Sequence, residues 1–175
     1  HDLEIMIRFT PGIECHTHDY IRTGSFDSKF GFGIEYLNIL FTKIRDAEHL
    51  QLIGLHAHIG SQIFELDPHK DLGEIMVNII LDAKKYGHDI KELNLGGGLG
   101  IKYTASDDPP SIEEWVKTIS SSVVQACKKN DLDLPLLMCE PGRSIVSTAG
   151  ITIYKIGAFK EIPGIRTYLS VDGGM

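Results

Sequence analysis

A chain of 175 residues, 42% hydrophobic and 23% charged, has the composition of a globular protein able to bury a core of its own. Its formal net charge of −7, with the basic residues scattered, argues against a nucleic acid or an anionic membrane surface as partner. No apolar run reaches the roughly 18–20 residues of a membrane-spanning helix, and Cys15, Cys127 and Cys139 stand far apart without a CxxC pair, which fits reduced thiols rather than a disulfide framework.

The chain opens with an alternating run over residues 3–9, the two-residue period of a pleated strand. It starts at His1 with no initiator methionine and reads as a piece of a longer protein. A cytoplasmic location is expected, or a plastid one if a transit peptide has been lost. Leu37, Leu40, Phe41 and Ile44 recur at helical spacing and predict a helix over 34–48, and a short apolar run predicts a second strand over 50–58. Asp67-Pro68 reads as an N-cap followed by proline at the first helical position. Behind it Leu72, Ile75, Met76, Ile79, Ile80 and Ala83 mark one helix face, which Gly87 stops. A third strand follows over 92–95. Ser111 with Glu114 forms a capping box ahead of a helix lined by Ile112, Trp115, Val116, Ile119 and Val123. Residues 134–139 give a fourth strand. From about Ile151 the pattern turns to alternating runs separated by Pro163-Gly164, with no helix.

Strands beginning near residues 3, 50, 92 and 135 are about 42–47 residues apart, each followed by a helix until the last. Such units in series need right-handed parallel crossovers, so the fold class is α/β with a parallel sheet. A doubly wound sheet or a (β/α)₈ barrel would fit, but a full barrel takes about 250 residues. The expectation is therefore part of a TIM-like barrel, its C-terminal half, over 1–148, with the start of a β-domain over 149–175.

Parallel α/β folds bind ligands beyond the carboxyl ends of their strands, and the unusual residues of this chain follow the strands. "HAHIGSQ" follows the second, "GGGLG" the third and "EPGRS" the fourth. Gly96, Gly97 and Gly98 would let backbone N–H groups converge on an anion, although a tight strand-to-loop turn is the plainer use of such a run. The pattern is neither GxGxxG nor a P-loop, which disfavours a dinucleotide or a Walker-type nucleotide site. Glu140 shares a strand face with Met138 and Leu136, whereas Cys139 points the other way into packing. Pro141-Gly142 turns the chain and leaves Glu140 and Arg143 at one rim, as a salt bridge or as a carboxylate for a protonated nitrogen beside a guanidinium for a phosphate or carboxylate. His56 and His58 face one side of a strand. An HxH metal site is one reading, but the other rims offer it only Glu140 and glycines. The alternative gives His58 a flat ring to stack on an aromatic ligand and gives Ser61 a hydroxyl for an anion. Together these parts suit a planar, phosphorylated, nitrogen-containing cofactor such as pyridoxal 5′-phosphate, and no metal.

The segments "TPGIECHTHDYIRTGSFDSKFGFG", "GLHAHIGSQ", "LNLGGGLGIKYTASDDPPS", "EPGRSIV" and "SVDGGM" closely resemble the alanine-racemase-like, fold-type III family of pyridoxal-phosphate decarboxylases. "HTHDYIRTG", "SKFG" and "DDPP" favour its diaminopimelate branch over the ornithine branch. The resemblance implies that His58 stacks on the pyridine ring, that Ser61 and the Gly96, Gly97, Gly98 turn bind the phosphate, and that Glu140 pairs with the ring nitrogen. It also implies that Pro141, Gly142 and Arg143 line the cofactor, with Arg143 reaching the substrate, and that Arg8 corresponds to an arginine beneath the cofactor. His16, His18 and Lys29 match the family's text but receive no role. The family's cofactor-linking lysine is expected upstream of His1, and a domain completing a homodimer's active site beyond Met175, so these residues alone should be inactive. The implied reaction converts meso-diaminopimelate to L-lysine and CO₂. Sister decarboxylases acting on ornithine, arginine or carboxynorspermidine, a non-catalytic pyridoxal-phosphate binder and the HxH metal hydrolase are the alternatives.

Overall fold

The structure, a computed structural model, describes residues 2–13 and 29–174; Cys15, His16 and His18 lie outside the described residues. By its internal contacts the chain divides into a larger unit ending at Ile145 and a smaller one beginning at Val146.

In the larger unit, β1 (Leu3–Thr10), β2 (Phe32–Gly33), β3 (Leu50–Ala57), β4 (Glu92–Asn94) and β5 (Leu136–Met138) form one sheet in the order β2-β1-β3-β4-β5. Every pairing in it is parallel. From β1 onward the spatial order follows the chain order. Right-handed crossovers in a sheet of that order put every helix on the same face, as in an arc of a barrel. A doubly wound sheet would reverse direction at a switch point. The α/β barrel-type expectation holds, and the barrel is not closed within these residues. The two-residue strand β2 is too short to carry a periodic signal and was not foreseen.

Ile7, Phe9, Leu55, Ala57, Leu93 and Leu95 turn outward into a core shared with the helices α1 (Leu37–Arg45), α2 (Asp67–Lys85) and α3 (Ile112–Lys129). Phe9 meets Phe41 of α1 edge-on, with ring centroids 6.1 Å apart. Where α2 and α3 pack, Gly73 leaves room for Ser122, whose hydroxyl donates to the Lys70 carbonyl. Each fully buried large side chain here, Trp115 and Met76 among them, contributes about 1.5–3 kcal/mol of transfer free energy.

The helix ends explain two departures from expectation. The 34–48 segment resolves into a 3₁₀ turn, Ile34–Tyr36, followed by α1, which stops at Arg45 just after its last buried residue, Ile44. Asp67 is not an N-cap: α2 begins with it, Leu66 holds the cap position without a side-chain bond, and Asp67 instead sits in the first turn, where its charge meets the positive end of the helix. At the other end the Gly87 N–H donates to Lys84 O (3.0 Å) and the His88 N–H to Ala83 O (3.1 Å). With Gly87 at φ +88° this is a Schellman stop. α3 starts in the expected capping box, Ser111 Oγ accepting the Glu114 N–H at 3.1 Å and the Glu114 carboxylate accepting the Ser111 N–H at 2.9 Å.

One irregularity sets the faces of β3. Ile5 pairs with Leu52, but Met6 pairs with Gly54, so Ile53 is an extra residue on β3. Leu52 therefore joins the outer core while Gly54 and His56, of the same sequence parity, face inward. In the smaller unit, β6 (Ile156–Ile162) and β7 (Arg166–Val171) form an antiparallel hairpin that turns through Gly164 at φ +74°. Among the described residues no helix is long and apolar enough to cross a membrane.

Candidate functional site

Strand register places Arg8 beside His56, His56 beside Asn94 and Asn94 beside Met138, a row across the inner face of the sheet. This parity is dictated by the outer core: if Ile7, Leu55 and Leu93 point to the helices, their neighbours point inward. One step beyond the row, at the carboxyl ends of the strands, lie His58, the glycine turn and Glu140. The Glu140 N–H donates to the Gly96 carbonyl at 2.7 Å, which ties the exits of β4 and β5 together.

The three glycines answer to three different neighbours. Gly96 has φ +66°, and a Cβ there would stand 2.7 Å from the Ala57 carbonyl oxygen and 2.8 Å from His58 Nδ1. At Gly97 a Cβ would run into the Glu140 backbone. Gly98, at φ +99°, would set one 2.6 Å from the Gly60 carbonyl oxygen. Conformation and close approach thus both demand glycine. Two of the N–H groups expected to aim at an anion are engaged within the chain: Gly96 donates to Asn94 Oδ1 (2.9 Å) and Gly97 to His58 Nδ1 (3.2 Å).

Glu140 keeps its carboxylate half exposed at this rim. Its Oε1 accepts from Asn94 Nδ2 at 2.8 Å and lies 3.7 Å from His56 Nε2, too far for a hydrogen bond. Burial pushes the His56 imidazole below its ordinary pKa, Glu140 opposing and Arg8 adding to the shift. Burial also lowers His58, with Arg8 contributing, Glu140 opposing and His56 adding a smaller push. Both rings are therefore held toward the neutral form. With Gly97 donating to Nδ1, neutral His58 carries its proton on Nε2. His56 Nε2 is buried without a hydrogen-bond partner. Arg8 is shifted down by burial and supported by Glu140. Its guanidinium lies 4.9 Å from the Phe30 ring centroid, which Lys29 also approaches, at 5.2 Å.

Pro141 and Gly142 turn the chain at once, Gly142 N–H closing on the Glu140 carbonyl at 2.8 Å, and the short helix α4 (Gly142–Val146) carries Arg143. Its guanidinium donates through Nε (3.2 Å) and Nη2 (2.8 Å) to Ser61 Oγ, and through Nη1 to the Tyr103 hydroxyl (2.5 Å). A serine oxygen that accepts twice from a cation has its own O–H left to donate elsewhere. The loops carrying Ser61 and Tyr103 are fastened to each other. Ile63 N–H donates to Gly98 O (2.9 Å), Gly100 N–H to Ile63 O (2.9 Å), and the Gln62 amide makes a two-point contact with the Ile101 backbone (2.7 and 3.1 Å). Gln62 adopts φ +59°, a region that non-glycine residues occupy only when held there.

The sequence-predicted residues of the larger unit thus come together: His58 lies on the glycine turn, Glu140 at one side of it, Ser61 and Arg143 at another. Asn94, Gln62 and Tyr103 were not foreseen. For Asn94 the signal was available, since it is an inward-parity polar residue immediately ahead of the glycines. Among the described residues no three His, Cys, Asp or Glu side chains are placed to hold a metal ion. A hydroxyl–guanidinium pair, a carboxylate and neutral imidazoles, with one imidazole nitrogen still lacking a partner, fit a flat heteroaromatic group with a basic nitrogen and an anionic tail.

Residues 1–147 match the family model described as pyridoxal-dependent decarboxylase, pyridoxal binding domain. Diaminopimelate decarboxylase from Synechocystis sp. is 57% identical over 173 residues, covering 99% of this chain and 37% of that protein. The Bacillus subtilis diaminopimelate decarboxylase is 43% identical over 178 residues, covering 100% of this chain and 40% of that one. A crystal structure of diaminopimelate decarboxylase from Helicobacter pylori complexed with L-lysine superimposes with a TM-score of 0.78 at 28% identity, over 99% of this chain and 41% of that one. The chain spans about two-fifths of the length of the curated relatives it matches.

Proposed function

The chain belongs to the pyridoxal-dependent decarboxylases, through their pyridoxal-binding domain, and on that premise we propose that the whole protein converts meso-diaminopimelate to L-lysine and CO₂. The observation that carries the proposal is the placement of the Glu140 carboxylate at the strand ends, across the glycine turn from the Ser61–Arg143 pair. When bound, pyridoxal 5′-phosphate supplies an electron sink for the carbanion left by the departing carboxylate. Everything else falls to the chain's own groups. Glu140, whose backbone is bonded to the glycine turn, would hold a proton on the ring nitrogen as an ion pair. His58, neutral and pinned at Nδ1 by Gly97, offers a ring face without competing for that proton. Ser61 and Arg143 meet the phosphate, with the Gly98 end of the turn beside them. Arg143, Gly142 and Pro141 border the substrate side, and Arg8 lends positive charge below. The L-lysine in the Helicobacter pylori complex favours the diaminopimelate assignment. We further propose a homodimeric, cytoplasmic enzyme.

The test incubates the whole protein, loaded with pyridoxal phosphate, separately with meso-diaminopimelate, ornithine and arginine, and measures released CO₂. Release from meso-diaminopimelate at least a hundredfold faster than from the other two is expected. Faster release from ornithine or arginine would reassign the substrate. A protein that takes up no cofactor, judged by the absence of a visible chromophore that borohydride fixes covalently, would overturn the reading.

A further inference from the structure

Asn94 is a polar residue at the end of an interior strand of the sheet, where β-propensity gives no reason for an amide. Its two ends do different things. The carboxamide oxygen accepts the Gly96 N–H at 2.9 Å, and a backbone N–H can only donate, so this bond fixes which end of the amide is which. The NH₂ is thereby turned to Glu140 Oε1, 2.8 Å away. The same two segments are joined a second time through the backbone, Glu140 N–H to Gly96 O at 2.7 Å, and the register sets Asn94 directly beside His56 and Met138. Glu140 lies two residues past the end of β5, just ahead of the Pro141-Gly142 turn, and its side chain stands half exposed at the rim. Among the described residues, the charged and polar groups that face this carboxylate include Arg8 from β1, His56 and His58 around the end of β3, and Asn94 from β4. Asn94 donates to it at 2.8 Å, whereas His56 Nε2 stands off at 3.7 Å.

We propose that Asn94 is a positioning residue: it couples the glycine turn to Glu140 and holds one carboxylate oxygen, so that the other faces the cofactor's ring nitrogen. This rests on the proposed cofactor site and deepens it. The spacing between the glycine turn and the Glu140 carboxylate is then held by this side chain as well as by the backbone bond from the Glu140 N–H to Gly96 O.

Asn94→Asp separates the two bonds. The aspartate oxygen still accepts from Gly96, but position 94 no longer donates to Glu140, and two carboxylates face each other. In the whole protein we expect cofactor affinity to fall about tenfold to a hundredfold, the loss associated with a hydrogen bond to a charged group. The absorption maximum of the bound cofactor should shift as the ring nitrogen loses its fixed partner. In a Glu140→Ala background the same Asn94→Asp change should cost less than about threefold, because a residue that acts through Glu140 has nothing left to position. Wild-type-like affinity and spectrum in Asn94→Asp would overturn the proposal, and so would equal losses in both backgrounds. If wild-type protein itself fails to bind the cofactor, the proposed function falls first; if wild type binds and Asn94→Asp matches it, only the positioning role falls.

Discussion

His69 offers a sharp pH prediction. It sits in the first turn of α2, 1% exposed, edge-on to Trp115 with centroids 5.6 Å apart, and neither its Nε2 nor Trp115 Nε1 has a hydrogen-bond partner. Burial first, and the nearby His58 second, push its pKa down to about 4 from 6.5. The unfolded chain therefore takes up a proton near pH 6.5 that the folded chain refuses until about pH 4. Stability from this group is complete above pH 6.5 and drains away as the pH falls toward 4. A gap of about two and a half pH units corresponds to roughly 3 kcal/mol at most, less whatever water entry returns as the ring charges. Urea unfolding of the whole protein and of His69→Leu, at intervals from pH 7 to pH 4, isolates the effect, since His56 and His58 titrate in both. At pH 7 the leucine variant should equal or exceed wild type, because it removes an unpartnered buried nitrogen. Toward pH 4 its advantage should widen by up to that amount. A difference that stays flat across the range would refute the reasoning.

Two further predictions compare a rim glycine with a helix-stop glycine and test the contact of Arg143 with Tyr103. Gly97→Ala presses a methyl group against the Glu140 backbone and should lower both cofactor affinity and stability, the latter by about 1–3 kcal/mol, whereas Gly87→Ala, strained by its φ but with nothing near its Cβ, should cost roughly 1–2 kcal/mol and leave affinity unchanged; urea midpoints and cofactor titrations separate them. Tyr103→Phe removes the hydroxyl acceptor for Arg143 while keeping the ring 5.6 Å from its guanidinium carbon, and a cofactor titration should show about threefold to tenfold weaker binding; an unchanged titration would make Tyr103 a bystander.

The parts of this molecule legible in the sequence are those that a simple period or a single capping bond encodes. The alternation of residues 3–9, the helix face behind Pro68, the capped start at Ser111 and the stop at Gly87 carried through, because each is decided within a few residues of chain. Ile112 and Val116, however, expected to line the helix behind Ser111, are exposed, and Ser122, Ala126 and Cys127 are buried in their place. Segments whose state depends on distant partners did not read as clearly. β2 exists only because Phe32 and Gly33 find Phe9 and Thr10. The segment after Pro141 looked like a turn and is one, but a short helix grows from it and swings Arg143 to a serine 82 positions earlier. Rim residues with unusual chemistry stood out, and the parity of Asn94 was there to be read, whereas Tyr103, ordinary in type, gains meaning only from the Arg143 side chain it meets.

The extra residue at Ile53 bears on which sequence changes the protein tolerates. Without it, the strand that buries Leu52 beneath the helices would carry His56 and His58 down the same side, and both imidazoles would be pressed into hydrocarbon. Surface loops such as 104–110 can gain or lose residues without disturbing this arithmetic. A one-residue deletion between Leu52 and His56 cannot be absorbed in that way: the chain must either misalign its strands or hide the rings from any ligand. Length variation among functional versions of this strand should accordingly come only in steps that preserve odd-to-even phase.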